Sequence, residues 1–117
     1  MKRTILVIDD NEDIRDIARI SIEVVGGWTL LEAASGLEGL AVAEREQPDA
    51  ILLDYMMPEL DGPATFAVLQ ENQSTRSIPV IFLTAKESFE GGAGTISKPF
   101  DPMNLHTQVA TILNWGE

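Results

Sequence analysis

The sequence predicts a doubly wound α/β domain, a parallel five-stranded sheet covered by helices on both faces. Two patterns predict it. Wholly apolar runs rich in Ile, Val and Leu recur at Thr4–Ile8 (TILVI), 50–53 and 80–83, as expected of strands buried on both faces. Between them lie segments with apolar residues at helical spacing, and such alternation brings parallel strands together through right-handed crossovers. A third observation bears on function: the strands stop at polar residues, Asp9 and Asp10, Asp54, Thr84 and Lys98.

Each element has its own reason. After the first strand, Ile14, Ile17, Ala18, Ser21, Val24 and Val25 keep helical spacing, and Gly26 and Gly27 stop that helix. A second strand is expected over Thr29–Ala33. Ser35 and Glu38 form a capping-box pair opening a helix over Leu37, Leu40, Ala41 and Glu44, which ends before Pro48. The third strand runs to Asp54. A loop over 55–62 leads to a helix over 63–72, with Pro63 suited to its first turn. The fourth strand ends at Thr84, and a weak fifth over 95–97 ends at Lys98. Asp101 then caps a last helix, with Pro102 first and Leu105, Val109, Ile112 and Leu113 on one face.

One unit breaks the rhythm. Only nine residues, KESFEGGAG, separate Ala85 from Thr95, and three of them are Gly. A parallel crossover takes about a dozen residues or more, and each Gly inside a helix costs about 1 kcal/mol relative to Ala. The fourth helix is therefore expected to be stunted or absent.

Composition narrows the function. The 117 residues suit one domain, with 44% hydrophobic and 23% charged content. Eight basic against nineteen acidic residues give a formal charge of −11 at pH 7, and such a surface repels nucleic-acid phosphates. There is no cysteine, which excludes disulfides, thiolate metal sites and a cysteine nucleophile. Lys2 and Arg3 precede an apolar run, but it ends at once in Asp9 and Asp10, too short for a signal peptide or membrane span. A cytoplasmic protein is expected, with neither nucleic-acid nor membrane contact.

The strand-end residues carry chemistry. In open α/β sheets the ligand crevice lies at the C-terminal strand edge. If the first and third strands are neighbours, Asp9, Asp10 and Asp54 converge, and carboxylates within about 5 Å of one another repel by several kcal/mol in a partly shielded site. A divalent cation and the ammonium of Lys98 relieve that, and hard oxygen ligands favour Mg²⁺, with Mn²⁺ as the alternative. Asp54, directly on a strand end, is the natural nucleophile toward phosphorus, and Asp9 and Asp10 are the natural metal ligands. Phosphoryl transfer is mostly positioning and electrostatics; the cation, Lys98 and the Thr84 hydroxyl would each meet one equatorial oxygen.

The strings ILVIDDNE, ILLDYMMPELDG, PVIFLTA and SKPF, in that order, resemble the four signature blocks of the response-regulator receiver family, and the resemblance covers essentially the whole chain. It implies a flavodoxin-like sheet of order 2-1-3-4-5, Asp54 as phosphoacceptor, Asp10 as a direct metal ligand and Asp9 acting through water. It further implies a metal contact from the backbone carbonyl of Met56, Thr84 and Lys98 as the phosphoryl-contacting pair, Ala85 as the small residue beside the site, and a cis Lys98–Pro99 bond. The implied donor is a histidine kinase or a histidine phosphotransfer protein, and an unidentified downstream protein reads the signal. The chain would be a single receiver domain over 1–117 with no output domain. It would be no turnover enzyme, catalysing only its own aspartate phosphorylation and dephosphorylation. Two departures from the family pattern stand out. Thr95 occupies the strand-five position where the family usually has Tyr or Phe, and the curtailed fourth helix belongs to the usual output face.

Competing readings follow from the same residues. Asp9 and Asp10 alone would be a solvated turn, and Thr84 alone an ordinary strand end. Met56 and Met57 read as packing and loop residues apart from the Met56 carbonyl. His106 reads as a partly exposed helix residue, Trp28 as packing at the edge of the second strand, and Trp115 as packing locally or touching a partner. Glu44, Glu46 and Glu59 read as solvated surface. A phosphatase of the haloacid-dehalogenase type also uses a strand-end Asp and Mg²⁺, but it places a second Asp two residues on, where this chain has Met56. A binding module that signals without phosphate is the other alternative, motivated by Thr95 and the shortened helix.

Overall fold

The computed structural model describes residues 2–85 and 92–116. Five parallel strands, β1 (Thr4–Ile8), β2 (Thr29–Ala33), β3 (Ala50–Asp54), β4 (Val80–Thr84) and β5 (Gly94–Ser97), form one sheet in the order β2-β1-β3-β4-β5. Four α-helices accompany it among the described residues: α1 (Glu12–Arg19), α2 (Gly36–Glu46), α3 (Gly62–Glu71) and α4 (Leu105–Ile112). This is the flavodoxin-like order. The stretch 86–91, where the shortened fourth helix is expected, lies outside the described residues.

Side chains alternate across the sheet, and that divides the core in two. Ile5, Val7, Leu30, Leu52, Ile81, Leu83 and Ile96 meet Ala18 of α1 and Leu105 and Val109 of α4 on one side. Leu6, Ile8, Ile51, Leu53, Val80 and Phe82 meet Val42 and Ala43 of α2 and Leu69 of α3 on the other. Each fully buried Ile or Leu contributes roughly 1.5–3 kcal/mol relative to exposure. No helix among the described residues is long and apolar enough to cross a membrane.

Local chemistry sets the helix starts. Asn11 caps α1 by accepting from the Asp13 N–H at 2.9 Å, and Asp61 caps α3 by accepting from Ala64 at 2.9 Å. Ser35 accepts from the Glu38 N–H at 3.1 Å, while the Glu38 carboxylate reaches back to the N–H of Ala34 at 2.7 Å, one residue ahead of the cap.

Two helices differ from expectation. The first winds as α only to Arg19 and continues as a π-helical segment, Ile20–Val25, with the Gly26 N–H bonded to the Ser21 carbonyl five residues back at 2.8 Å. The extra residue per turn shifts the apolar spacing, so Val24, expected on the inner face, is 76% exposed. Gly27, at φ +73°, then ends the segment in the left-handed region. In the last helix, the Asp101 carboxylate does take the Met103 N–H at 2.9 Å, but 102–104 form turns and the regular helix begins at Leu105. Trp28 packs directly ahead of β2, as expected, and is buried in the core there, and Trp115 packs edge-on against it with ring centroids 5.5 Å apart.

Candidate functional site

The strand order gathers the polar strand ends. Ile8 of β1 pairs with Leu53 of β3, so Asp9 and Asp54 emerge side by side at the C-terminal edge of the sheet. On the other flank Asp54 pairs with Leu83 of β4 and Thr84 with Ser97 of β5, which puts Lys98 one residue beyond. The chain leaves β1 toward β2 on one side and returns to β3 on the other, the switch point at which α/β sheets open a crevice. Lys98–Pro99 is cis.

Lys98 Nζ donates to Asp9 Oδ2 at 2.8 Å and to Asp54 Oδ1 at 2.9 Å. Asp9 is fully buried and Asp54 nearly so, whereas Asp10 is exposed. One oxygen from each of Asp9, Asp10 and Asp54 lies within 4.8 Å of the others. Asp9 is further fixed by the Asn11 N–H on Oδ1 at 2.9 Å. Beside these groups a cavity of about 180 Å³ is lined by Asp54, Tyr55, Met56, Thr84, Ala85 and Lys98. Thr84 is buried there, and the Met56 side chain is 70% exposed at the rim. Met57, by contrast, is buried in the core.

The electrostatics follow from this packing. Burial pushes the Asp54 carboxyl up to about 6; the Lys98 hydrogen bond opposes that, the Asp9 charge adds to it, and the Lys98 charge and Met56 N–H pull it down. Burial works against the Lys98 ammonium, but its hydrogen bonds to Asp9 and Asp54 and their charges outweigh it and raise its pKa. Lys98 bridges two of the three carboxylates, Asp9 and Asp54. Two negative charges are uncompensated, all donors are hard oxygens, and Asp10 opens to solvent, so Asp9, Asp10 and Asp54 fit a small divalent cation that keeps part of its water.

The loop after Asp54 is held by close backbone approach. Gly62 donates its N–H to the Tyr55 carbonyl at 3.0 Å, and a Cβ there would lie 2.5 Å from the Asp54 carbonyl oxygen. Sequence reasoning missed Asn11, Asp61 and Gly62 as site supports. The first two carried a signal, an Asx residue directly before a helix; the third carried only a glycine. It also missed Arg15, whose Nη1 donates to the Asp9 carbonyl at 2.7 Å, because nothing in the spacing of Arg15 reveals which backbone group it will meet.

A flavodoxin-like parallel sheet with a lysine-bridged carboxylate pair at its switch point defines an acidic strand-end site whose three carboxylates could hold a cation. The response regulator receiver domain matches residues 5–110, and the chain belongs to that family, as a receiver domain of two-component signalling. It is 36% identical over 93% of its length to the DNA-binding dual master transcriptional regulator RpaA of Synechocystis, covering 48% of that protein. The chain spans about half the length of the curated relatives it matches. Among solved structures it resembles the chemotaxis response regulator CheY4 of Vibrio cholerae, with TM-score 0.88, 26% identity and coverage of 96% of this chain and 99% of that one. It also resembles the N-terminal domain of a response regulator receiver protein from Methanoculleus marisnigri, with TM-score 0.78, 34% identity and coverage of 95% and 96%.

Proposed function

We propose that this domain accepts a phosphoryl group on Asp54 from the phosphohistidine of a histidine kinase or a histidine phosphotransfer protein, in the cytoplasm and with Mg²⁺. The observation that carries the reading is the placement of Asp54 Oδ1 on Lys98 within 4.8 Å reach of the Asp9 and Asp10 carboxylates. Asp9, Asp10 and Asp54, with the Met56 carbonyl, would hold the cation, whose charge lowers the repulsion between an incoming phosphoryl group and the acidic edge. An Asp54 oxygen forms the P–O bond as the P–N bond to the donor imidazole breaks, and the imidazole leaves neutral when its other nitrogen carries a proton. Lys98 and the Thr84 hydroxyl then hold phosphoryl oxygens. No substrate other than the protein's own aspartate is turned over.

The read-out is proposed to be atypical. Thr95, half-buried on β5, lines an open groove of about 530 Å³ with Asn104, Thr107, Gln108, Thr111 and Ile112. A short hydroxyl there offers no aromatic ring to move when Thr84 moves. Incubation with Mg²⁺ and acetyl phosphate should add one base-labile, acid-stable phosphate, with none on Asp54→Asn. Equal labelling of that variant would remove Asp54 from its role, and steady turnover of small phosphomonoesters would favour a phosphatase. Equal partner binding by wild type, phosphorylated protein and Asp54→Ala would favour a phosphate-independent module.

A further inference from the structure

The ladder of β1 ends at Ile8, yet the next two residues must hold their carboxylates at the sheet edge while the backbone turns into α1. The fully buried Asp9 donates its N–H to the Ala33 carbonyl at 3.0 Å, which leaves its own carbonyl beyond the ladder. Arg15 Nη1 donates to that carbonyl at 2.7 Å. The Arg15 side chain is 16% exposed, and its Nε donates to Glu32 Oε1 at 3.1 Å. A guanidinium is a rigid planar fork, so fixing Nε also aims Nη1. Glu32 in turn accepts from Arg19 at 2.8 and 2.6 Å, and Arg19 reaches Glu23 at 2.7 Å. One end of this charged chain stops on the backbone of a proposed metal ligand.

We propose that Arg15 is a positioning residue for the cation site. It holds the turn Asp9–Asp10–Asn11 so that the Asp9 and Asp10 carboxylates stay beside Asp54, and Glu32 orients it. Arg15 meets neither the cation nor the phosphoryl group; it acts through the Asp9 carbonyl. Arg19 provides the control, since it shares Glu32 and the ion pairs but makes its hydrogen bonds to Glu23 and Glu32 rather than to Asp9. The metal part of the inference rests on the cation-site reading above; the turn-holding part does not.

The test compares wild type, Arg15→Gln and Arg19→Gln of the 117-residue chain, unphosphorylated. Calorimetric titration with Mg²⁺ should show Arg15→Gln weakened roughly tenfold, the lower end for groups that orient metal ligands, with Arg19→Gln within about twofold of wild type. In metal-free buffer the Asn11 amide, bonded to Asp9 Oδ1 at 2.9 Å, should exchange faster in Arg15→Gln alone. Urea midpoints for both variants show whether a general loss of stability explains either effect. Unchanged Mg²⁺ affinity and Asn11 exchange in Arg15→Gln, or equal losses in Arg19→Gln, would overturn the proposal. If wild type itself fails to bind Mg²⁺, the cation-site reading falls and the Asn11 exchange decides the turn-holding role by itself. Should Arg15→Gln not fold, Glu32→Ala, which removes the acceptor of Arg15 Nε, should shift both readouts the same way, and unaltered readouts there would overturn the proposal equally.

Discussion

Asp54 is stable in its place only because Lys98 stands between it and Asp9, and even so burial raises its carboxyl to about 6 from an ordinary 3.8. The folded chain therefore holds this proton to a higher pH than the unfolded chain, and the folded form loses stability as pH rises from about 3.8 through about 6. Asp54→Asn removes that charge. In metal-free buffer at pH 7 it should be more stable than wild type by about 1–2 kcal/mol, with the advantage shrinking toward pH 4; urea unfolding at both pH values checks this, and a less stable variant at pH 7 would contradict it. Mg²⁺ should raise the wild-type midpoint more than that of Asp54→Asn, because only binding to the folded state stabilises. Gly62→Ala drives a Cβ to 2.5 Å from the Asp54 carbonyl oxygen. The backbone must shift, at a cost of roughly 1–3 kcal/mol, and phosphorylation from acetyl phosphate should slow.

The element that departs most from its sequence pattern is the first helix. Residues 12–25 read as one amphipathic α-helix, and only tertiary contacts explain why its second half is π-wound. Ser21 is buried and accepts from the His106 N–H at 3.3 Å, and Glu23 accepts from the Leu30 N–H at 3.0 Å. That second bond covers an outward donor of β2, an edge strand, which would otherwise be open to pairing. The Leu30 N–H, then burial in opposition, then Arg19, leave the Glu23 carboxyl below its ordinary 4.5. Its contribution is present above pH 4.5 and lost as pH falls through the lowered value. Glu23→Ala should cost about 0.5–1 kcal/mol at pH 7, and the difference from wild type should disappear in acid. A constant difference across pH would assign the cost to lost side-chain packing instead, since Ala is the better helix former.

At the scale of the whole molecule, the two ends of the sheet do different things. The C-terminal edge carries the acidic site, whereas the N-terminal edge is closed by aromatic packing. Trp28 meets His106 edge-on at 5.9 Å and Trp115 at 5.5 Å, and the Arg3 guanidinium lies 4.2 Å over the Trp115 ring. Trp115 thus ties the segment after α4 to β1 and β2. Trp115→Ala should lower stability by about 1–2 kcal/mol, below the cost for a fully buried Trp because this one is only partly buried, with phosphorylation of Asp54 unchanged. Slower phosphorylation in that variant would show that the two ends are coupled.

The chain's local chemistry determined the strand cores, most helix starts and the candidate strand-end residues. Those are properties of periodicity, of Asx and Ser caps, and of polar residues that stop apolar runs, and each is written within a few neighbouring positions. The resemblance to a family supplied the strand order, which local pattern does not contain. Tertiary structure alone decided the rest. Whether Asp9 and Asp54 share one lysine depends on β1 lying next to β3, 44 residues separate the two ends of the Asp54–Lys98 contact, and the Arg15 fork that meets the Asp9 carbonyl is held at Nε by Glu32 of β2, 17 residues away. Contacts of that kind depend on where packing places a side chain, and packing is set by the whole core at once.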